Sequence, residues 1–521
     1  MNRKIQLLTA FVTLFLIAGY SSISADWAAD GVPVAPILNL PWPDVPETIS
    51  DGWGGAIITW DDSRAGNTDI YAQRINEDGS INTDWTADGE PVCIYAGSQD
   101  EPQIAADGSG GAIITWQDSR NGDHDIYAQR IDADGSIHAG WALNGEPVCS
   151  STGEQTLPMI VADGSGGAII TWQDFRNGNY DIYAQRIDAD GSIHAGWALD
   201  GEPVCTNTEI QNYPRLISDG SGGAIISWVD IRSGYYDIYA QRIEEDGSIS
   251  SGWTADGEPV CSYAGNQDNQ SIISDGYGGA IIAWLDDRNG NYDIYAQRIA
   301  ADGSIPAGWT VDGVPVCTNS ELQGLPRITS DGSGGGIITW IDLRNSNSYD
   351  IYAQRVDEDG SIHTGWTADG EPVCTDAASQ SHPRIISDSA GGAIITWQDS
   401  RSGNNDIYAH RIDGDGSIHA SWQVDGESIC NSLGDQGSPI ITSNGSGGAI
   451  ITWEDYRDSN SNIYAQSIDA DANIPSGWGT NGEPVCTHSE LQEYPRIISN
   501  GSGGAIIAWQ DFRCGNSDIY A

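Results

Sequence analysis

Lysine is all but missing from this 521-residue sequence, with Lys4 the only one. Phenylalanine occurs four times and methionine twice. After residue 25 no apolar run approaches the roughly 20 residues that a membrane-spanning helix needs. No window keeps the 3.6-residue period of an amphipathic helix, so the helical fold classes are excluded. Phosphate-cradling glycine loops, zinc-ligand spacing and nucleophile–base motifs are also missing. Positive charge is scarce: 22 Lys and Arg stand against 74 Asp and Glu, a formal charge of −52. An excess of that size repels phosphate backbones and anionic lipid, which argues against nucleic acid and membrane adsorption and favours cations or basic partners.

The first residues, Met1 to Ala25, place Arg3 and Lys4 before an apolar run from Leu7 to Ala18 and end in Ser22-Ile23-Ser24-Ala25. That order reads as a secretory signal peptide of residues 1–25, cleaved after Ala25. Leu16-Ile17-Ala18-Gly19 is followed by Tyr20 rather than cysteine, so no lipid anchor is expected. The mature chain is then secreted, periplasmic or held at the cell surface, without membrane insertion. Every cation left in it is an arginine, whose planar fork suits fixed ion pairs.

What the chain does contain is a repeat. Trp60, Trp116, Trp172, Trp228, Trp284, Trp340, Trp397, Trp453 and Trp509 recur every 56 residues, with one step of 57. A second series runs from Trp27 and Trp85 to Trp478, and tyrosines in Asp-Ile-Tyr mark a third position. Each unit reads as four strands: A near Pro214–Ser218, B at Ala224–Asp230, C at Ile238–Ile243 and D around Pro259-Val260-Cys261. Gly-rich turns separate them, such as Asp219-Gly220-Ser221-Gly222-Gly223. Strand B is apolar on both faces, as a sheet between two neighbours should be. A buried Trp contributes at most about 4–6 kcal/mol by area. One unit alone cannot cover its own faces, so copies must stack.

These features predict an all-β fold, a β-propeller of nine four-stranded blades spanning residues 26–521, with an open array of blades as the alternative. Asp30-Gly31-Val32-Pro33-Val34 matches the strand D segment Asp256-Gly257-Glu258-Pro259-Val260, and the chain ends in strand C at Asp518-Ile519-Tyr520-Ala521. One terminus supplies what the other lacks, so the last blade should be completed by the first residues. Strand C elsewhere continues through Gln-Arg-Ile, so the sequence alone does not tell whether the chain runs on past Ala521.

The segment Ser218 to Tyr239 carries Asp-Gly, Gly-Gly-Ala-Ile-Ile, Trp-x-Asp-x-Arg-x-Gly and Asp-Ile-Tyr in that order. This resembles the WD40-like repeats of TolB-type β-propellers over most of residues 26–521. The resemblance implies the propeller fold and carries over no partner.

Nine Trp-x-Asp-x-Arg elements, among them Asp174/Arg176 and Asp230/Arg232, put both charges on one strand face. Nine equal copies suggest structural ion pairs fixing each blade against its neighbour, with the Asp of Asp-Ile-Tyr as a further partner. Asp-x-Asp-Gly turns such as Asp132-Ala133-Asp134-Gly135 resemble part of a calcium loop, but Arg130 stands where another acid is needed. They are read as hairpin turns; no cofactor or metal is expected, with weak calcium binding the one alternative. Cys93, Cys149, Cys205, Cys261, Cys317, Cys374, Cys430 and Cys486 share one repeat position, too far apart between blades to bridge, and are expected as buried free thiols. Cys514 falls in a loop. His138, His194, His363 and His419 also share a position and are held apart by the blades.

The B-to-C and D-to-A connections vary and share one face of the disc, which makes that face the candidate binding surface. There Tyr180, Tyr236, Tyr292 and Tyr349, preceded by His124, form an arc of rings beside Asn-rich loops, suited to carbohydrate or protein. The expectation is a monomeric, non-catalytic propeller binding one of these ligands. Its competitors are a propeller enzyme acting on glycans and a structural spacer in a longer surface protein.

Overall fold

Strand B decides the architecture. Ala224–Asp230 is buried at all seven positions, which only a strand with packed neighbours on both faces can satisfy. The computed structural model describes residues 30–34, 46–345, 348–513 and 517–521; the signal-like segment, Trp27 and Cys514 lie outside the described residues. Among those described, every regular element is a strand. Nine antiparallel sheets follow one another; eight are built from four sequence-consecutive strands in the order A-B-C-D, and the ninth from three, A-B-C. Blade 4, for example, is Gln211–Ser218, Ala224–Asp230, Asp237–Ile243 and Glu258–Cys261.

Strands A of successive blades touch one another all the way round, and strand A of blade 1 (Glu47–Ser50) touches strand A of blade 9 (Gln492–Ser499). Strand A is therefore the inner strand, and the ring is closed. Val32 N–H donates to Ala521 O at 2.9 Å and Val34 N–H to Ile519 O at 2.8 Å, with Pro33 opposite Tyr520. The N-terminal segment is thus the fourth strand of blade 9, as its match to later strands D predicts. The protein is a nine-bladed β-propeller, and the open array is excluded.

Each core lies in a seam between blades. Trp228 of blade 4 packs with Val204, Cys205 and Trp197 of blade 3 and with Tyr239 of its own blade, stacked at 6.3 Å between ring centroids. Glycine is required where the chain crosses the buried Trp: Gly201 has φ +95°, and a Cβ there would stand 2.6 Å from the Trp172 ring. The second tryptophan series ties blades together, as Trp141 Nε1 donates to the Ala189 carbonyl of the next blade at 3.0 Å.

Strand A begins three residues before its sequence-based start. Pairing of Gln211–Ser218 with strand B is interrupted between Asn212 and Arg215, where Tyr213 takes φ +56°. Equivalent residues in seven other blades, from Glu101 to Tyr494, do the same at φ +53° to +56°. This bulge precedes a proline in most blades, and proline hides a strand from sequence patterning. On the inner edge both features are useful, because a bulged, proline-bearing edge resists further pairing.

Candidate functional site

The sequence-predicted ion pairs engage nine of the twenty arginines that follow residue 25. Arg176 Nη2 lies 2.6 Å from Asp174 Oδ2, and Arg232 Nη2 lies 2.6 Å from Asp230 Oδ2. Trp172 Nε1 donates to the same carboxylate at 2.8 Å, and the Arg176 guanidinium lies over the Tyr183 ring at 3.9 Å. The pair itself is internal to blade 3. It reaches blade 2 through cysteine, since Arg176 Nη2 lies 3.0 Å from Cys149 Sγ. The aspartate of Asp-Ile-Tyr is not a further partner of that arginine: Asp181 instead accepts from Asn177 at 2.7 Å. The Asp-Ile-Tyr carboxyls are held above their ordinary range by burial, Asp69, Asp125, Asp237 and Asp350 at about 6.

A second arginine series, in the Gln-Arg-Ile of strand C, escaped the sequence reading. Arg186 bonds Asp163 of its own A–B turn at 2.8 Å and donates to the Glu245 carbonyl of the next blade at 3.1 Å. Arg74, Arg130, Arg242, Arg298, Arg355 and Arg411 repeat the ion pair. These are the cations that staple blade to blade. All eight repeat-position cysteines are free and buried, and burial pushes thiols such as Cys149 up to about 12. They are packing groups without nucleophilic character. His138, His194, His363 and His419 each bond an aspartate six residues back at 2.6–2.8 Å. The Asp134 turn is closed by Ser136, and among the described residues no His/Cys/Asp/Glu cluster has the grouping to hold a metal.

The residues of the expected arc hold equivalent backbone positions in successive blades. Carbonyls of His124, Tyr180, Tyr236, Tyr292 and Tyr349 accept from the first Gln N–H of strand A in the following blade, at 2.6–2.9 Å. The rings are not equivalent. Tyr236 is exposed, whereas Tyr180, Tyr292 and Tyr349 are half-buried. Tyr180 packs edge-on against Phe175 at 5.1 Å, and His124 is held by Glu154 at 2.8 Å.

Tyr236 also lines a cavity of about 370 Å³ with Tyr213, Arg215, Asp268, Asn269 and Gln270. A second cavity, of about 390 Å³, shares Arg215, Asn269 and Gln270 and continues to Met159, Ser271 and Arg327. Both are lined by the inner strands of blades 4 and 5, the first also by Tyr236 of the B–C connection. Gln270 Nε2 donates to the Tyr213 carbonyl at 2.9 Å, bracing blade 5 against blade 4 at the mouth. The bulge sets this site by turning Tyr213, more than half exposed, out of the strand plane beside Arg215. A larger cavity, of about 790 Å³, lies on the opposite face at the closing seam. Its walls include Asp51 and Arg74, a pair already used in holding blades together.

No family model matches the chain, and no curated protein matches it. Similar solved structures exist at low likeness. Puromycin hydrolase has 14% identity and a TM-score of 0.37, with 82% of this chain covered; the chain spans only 62% of that protein. An ulvan lyase of polysaccharide lyase family 25 has 10% identity and a TM-score of 0.42, covering 85% of this chain and 95% of that one. The putative TolB of Agrobacterium tumefaciens has 16% identity and a TM-score of 0.26, covering 55% and 83%. The expectation that the chain is not an enzyme does not stand. A hydrolase and a lyase are among these similar structures. Nine equal ion pairs show that those pairs are structural, and they say nothing against a catalytic group placed elsewhere on the ring.

Proposed function

We propose that this is an exported propeller that recognises a carbohydrate at the channel mouth on the face of the B–C and D–A connections. The observation that carries the reading is the cavity in which Tyr213 and Tyr236 meet Asn269 and Gln270. Aromatic faces cover the apolar side of a sugar ring, while side-chain amides supply the donors and acceptors its hydroxyls need. The mouth is rigid because strand A anchors it and Gln270 braces it, so little ordering is lost on binding. The signal-like N-terminus and the strongly acidic surface suit a chain that works outside the cytoplasm.

Calorimetry of the purified chain with a panel of neutral and acidic oligosaccharides tests this reading. Binding that drops at least about tenfold in a Tyr213→Ala/Tyr236→Ala double variant is expected, a loss of roughly 1.4 kcal/mol. A panel in which no oligosaccharide binds the parent chain would overturn it.

A further inference from the structure

Residues 26–521 contain twenty arginines and no lysine. Nine pair with the Asp of Trp-x-Asp-x-Arg and seven with the Asp of the A–B turn. Four remain: Arg215, Arg327, Arg384 and Arg496. All four occupy one register of strand A, opposite Ser227, Thr339, Thr396 and Ala508 of strand B. Strand A is the inner strand, so that register forms a belt around the channel. Arg496 has a partner, Glu47 of blade 1, at 3.4 Å. For Arg215, Arg327 and Arg384 no described carboxylate stands within salt-bridge reach; Arg215 and Arg327 donate only to the carbonyls of Pro214 and Pro326, at 3.2 and 3.0 Å.

Three unpaired arginines are out of keeping with a chain that has 74 acidic residues. Burial pulls each guanidinium below its ordinary range, and Arg327 feels both Arg215 and Arg384 as like charges. The three hold one register of the inner strands of blades 4, 6 and 7, so their charges share one stretch of the channel wall. Arg215 and Arg327 line the same cavity, with Ser271 between them and open space in front. A cluster of partly desolvated like charges without counter-ions is unfavourable in the empty protein and becomes favourable when an anion enters.

We infer that Arg215, Arg327 and Arg384 form an anion-binding belt in the channel that takes the carboxylate or sulfate groups of an acidic oligosaccharide. This deepens the carbohydrate reading and rests on it. The sugar ring lies against Tyr213 and Tyr236 at the mouth, and its charged group reaches down to the guanidinium forks. Arginine suits the task because its fork grips a carboxylate or sulfate through two parallel bonds.

The test compares an oligogalacturonide, a sulfated galactan oligosaccharide, a neutral galactan oligosaccharide of equal length and a polyglutamate peptide. Each is titrated into the purified chain and into an Arg215→Gln/Arg327→Gln/Arg384→Gln variant. At least one acidic sugar should bind the parent at least about tenfold tighter than the neutral one. The triple variant should lose that preference and keep its weak neutral binding. Whichever acidic probe is preferred identifies the charged group. Without ligand, the triple variant should also melt about 1–2 °C higher, because mutual repulsion has been removed. Equal affinity for acidic and neutral sugars, unchanged in the variant, would overturn the belt and leave the carbohydrate reading standing. Binding of polyglutamate with no sugar bound would overturn both. A fall in melting temperature of the unliganded triple variant would make the belt a structural element and likewise overturn the inference.

Discussion

The seams between blades and the inner surface of the ring use the same cation in opposite ways. In the seams, sixteen arginines each face a carboxylate, most of them against an aspartate that is almost fully buried. On the inner surface, Arg215 and Arg327 line a cavity, and Arg384 holds the same strand register in the next blade. What repeats nine times holds the ring together, because every seam must be closed in the same way. What departs from the repeat is free of that duty, and it gathers on the strand that borders the channel. Strand B keeps its Ile-Ile-x-Trp-x-Asp frame in every copy, whereas the belt register of strand A holds Glu47, Gln103, Met159, Arg215, Ser271, Arg327, Arg384, Ile440 and Arg496.

The largest effect should come from breaking a seam. Arg232→Ala leaves the Asp230 carboxylate buried without its guanidinium and removes the cover from Tyr239. Chemical denaturation should show a loss of about 3–5 kcal/mol, as for one-sided removal of a buried pair. A loss under about 1 kcal/mol would remove the distinction between seam and channel. Next in size is Arg186→Ala, which frees Asp163 and the Glu245 carbonyl together. It should cost roughly 2–4 kcal/mol, and hydrogen exchange should rise on both sides of the seam between blades 3 and 4.

A smaller effect with a definite sign comes from pH. Burial raises Asp237 to about 6 in the folded chain, so between the unfolded value near 4 and that point the folded state holds more protons than the unfolded one. Its contribution is fully present below the unfolded pKa and is lost as pH rises through about 6. Asp69, Asp125 and Asp350 act in the same direction. Melting temperature should fall between pH 4.5 and 7, and Asp237→Asn should raise it at pH 7 while leaving it near parental at low pH. A melting temperature that climbs steadily over that interval would contradict the assignment. The smallest effect belongs to His194→Ala. The ring pairs with Asp188 at 2.6 Å but stays partly exposed, and the change should be about 0.5 kcal/mol or less by the same denaturation assay.

Much of the ring is legible in one dimension because it depends on identity between copies. Trp spacing fixes the blade count, Asp-Gly turns fix the strand order, and Val32-Pro33-Val34 shows which strand closes the circle. The proposed binding region is hard to read for the same reason. Arg215 and Arg327 lie about a hundred residues apart in strands whose starts, as at Pro214 and bulged Tyr213, are concealed, and only the stacking of blades 4, 5 and 6 brings them to one cavity. Tyr236 stands out because it varies beside a strongly patterned Asp-Ile-Tyr, whereas the belt arginines share a Pro-Arg context that other copies replace with Gln103, Met159, Ser271 or Ile440. One sequence signal would have found them: subtracting the arginines of Trp-x-Asp-x-Arg and Gln-Arg-Ile from the total leaves these four. The seam chemistry was read in part, since the Asp–Arg pair was foreseen but its contact with the preceding blade's cysteine depends on how sheets stack.

Hydrogen–deuterium exchange of the purified chain with and without an acidic oligosaccharide tests the central claim most directly. Protection should concentrate in the inner strands Gln211–Ser218, Gln267–Ser274 and Gln323–Ser330 and in the connection carrying Tyr236. Protection confined to outer strands such as Glu258–Cys261, or to the Asp-Gly turns of the opposite face, would contradict it.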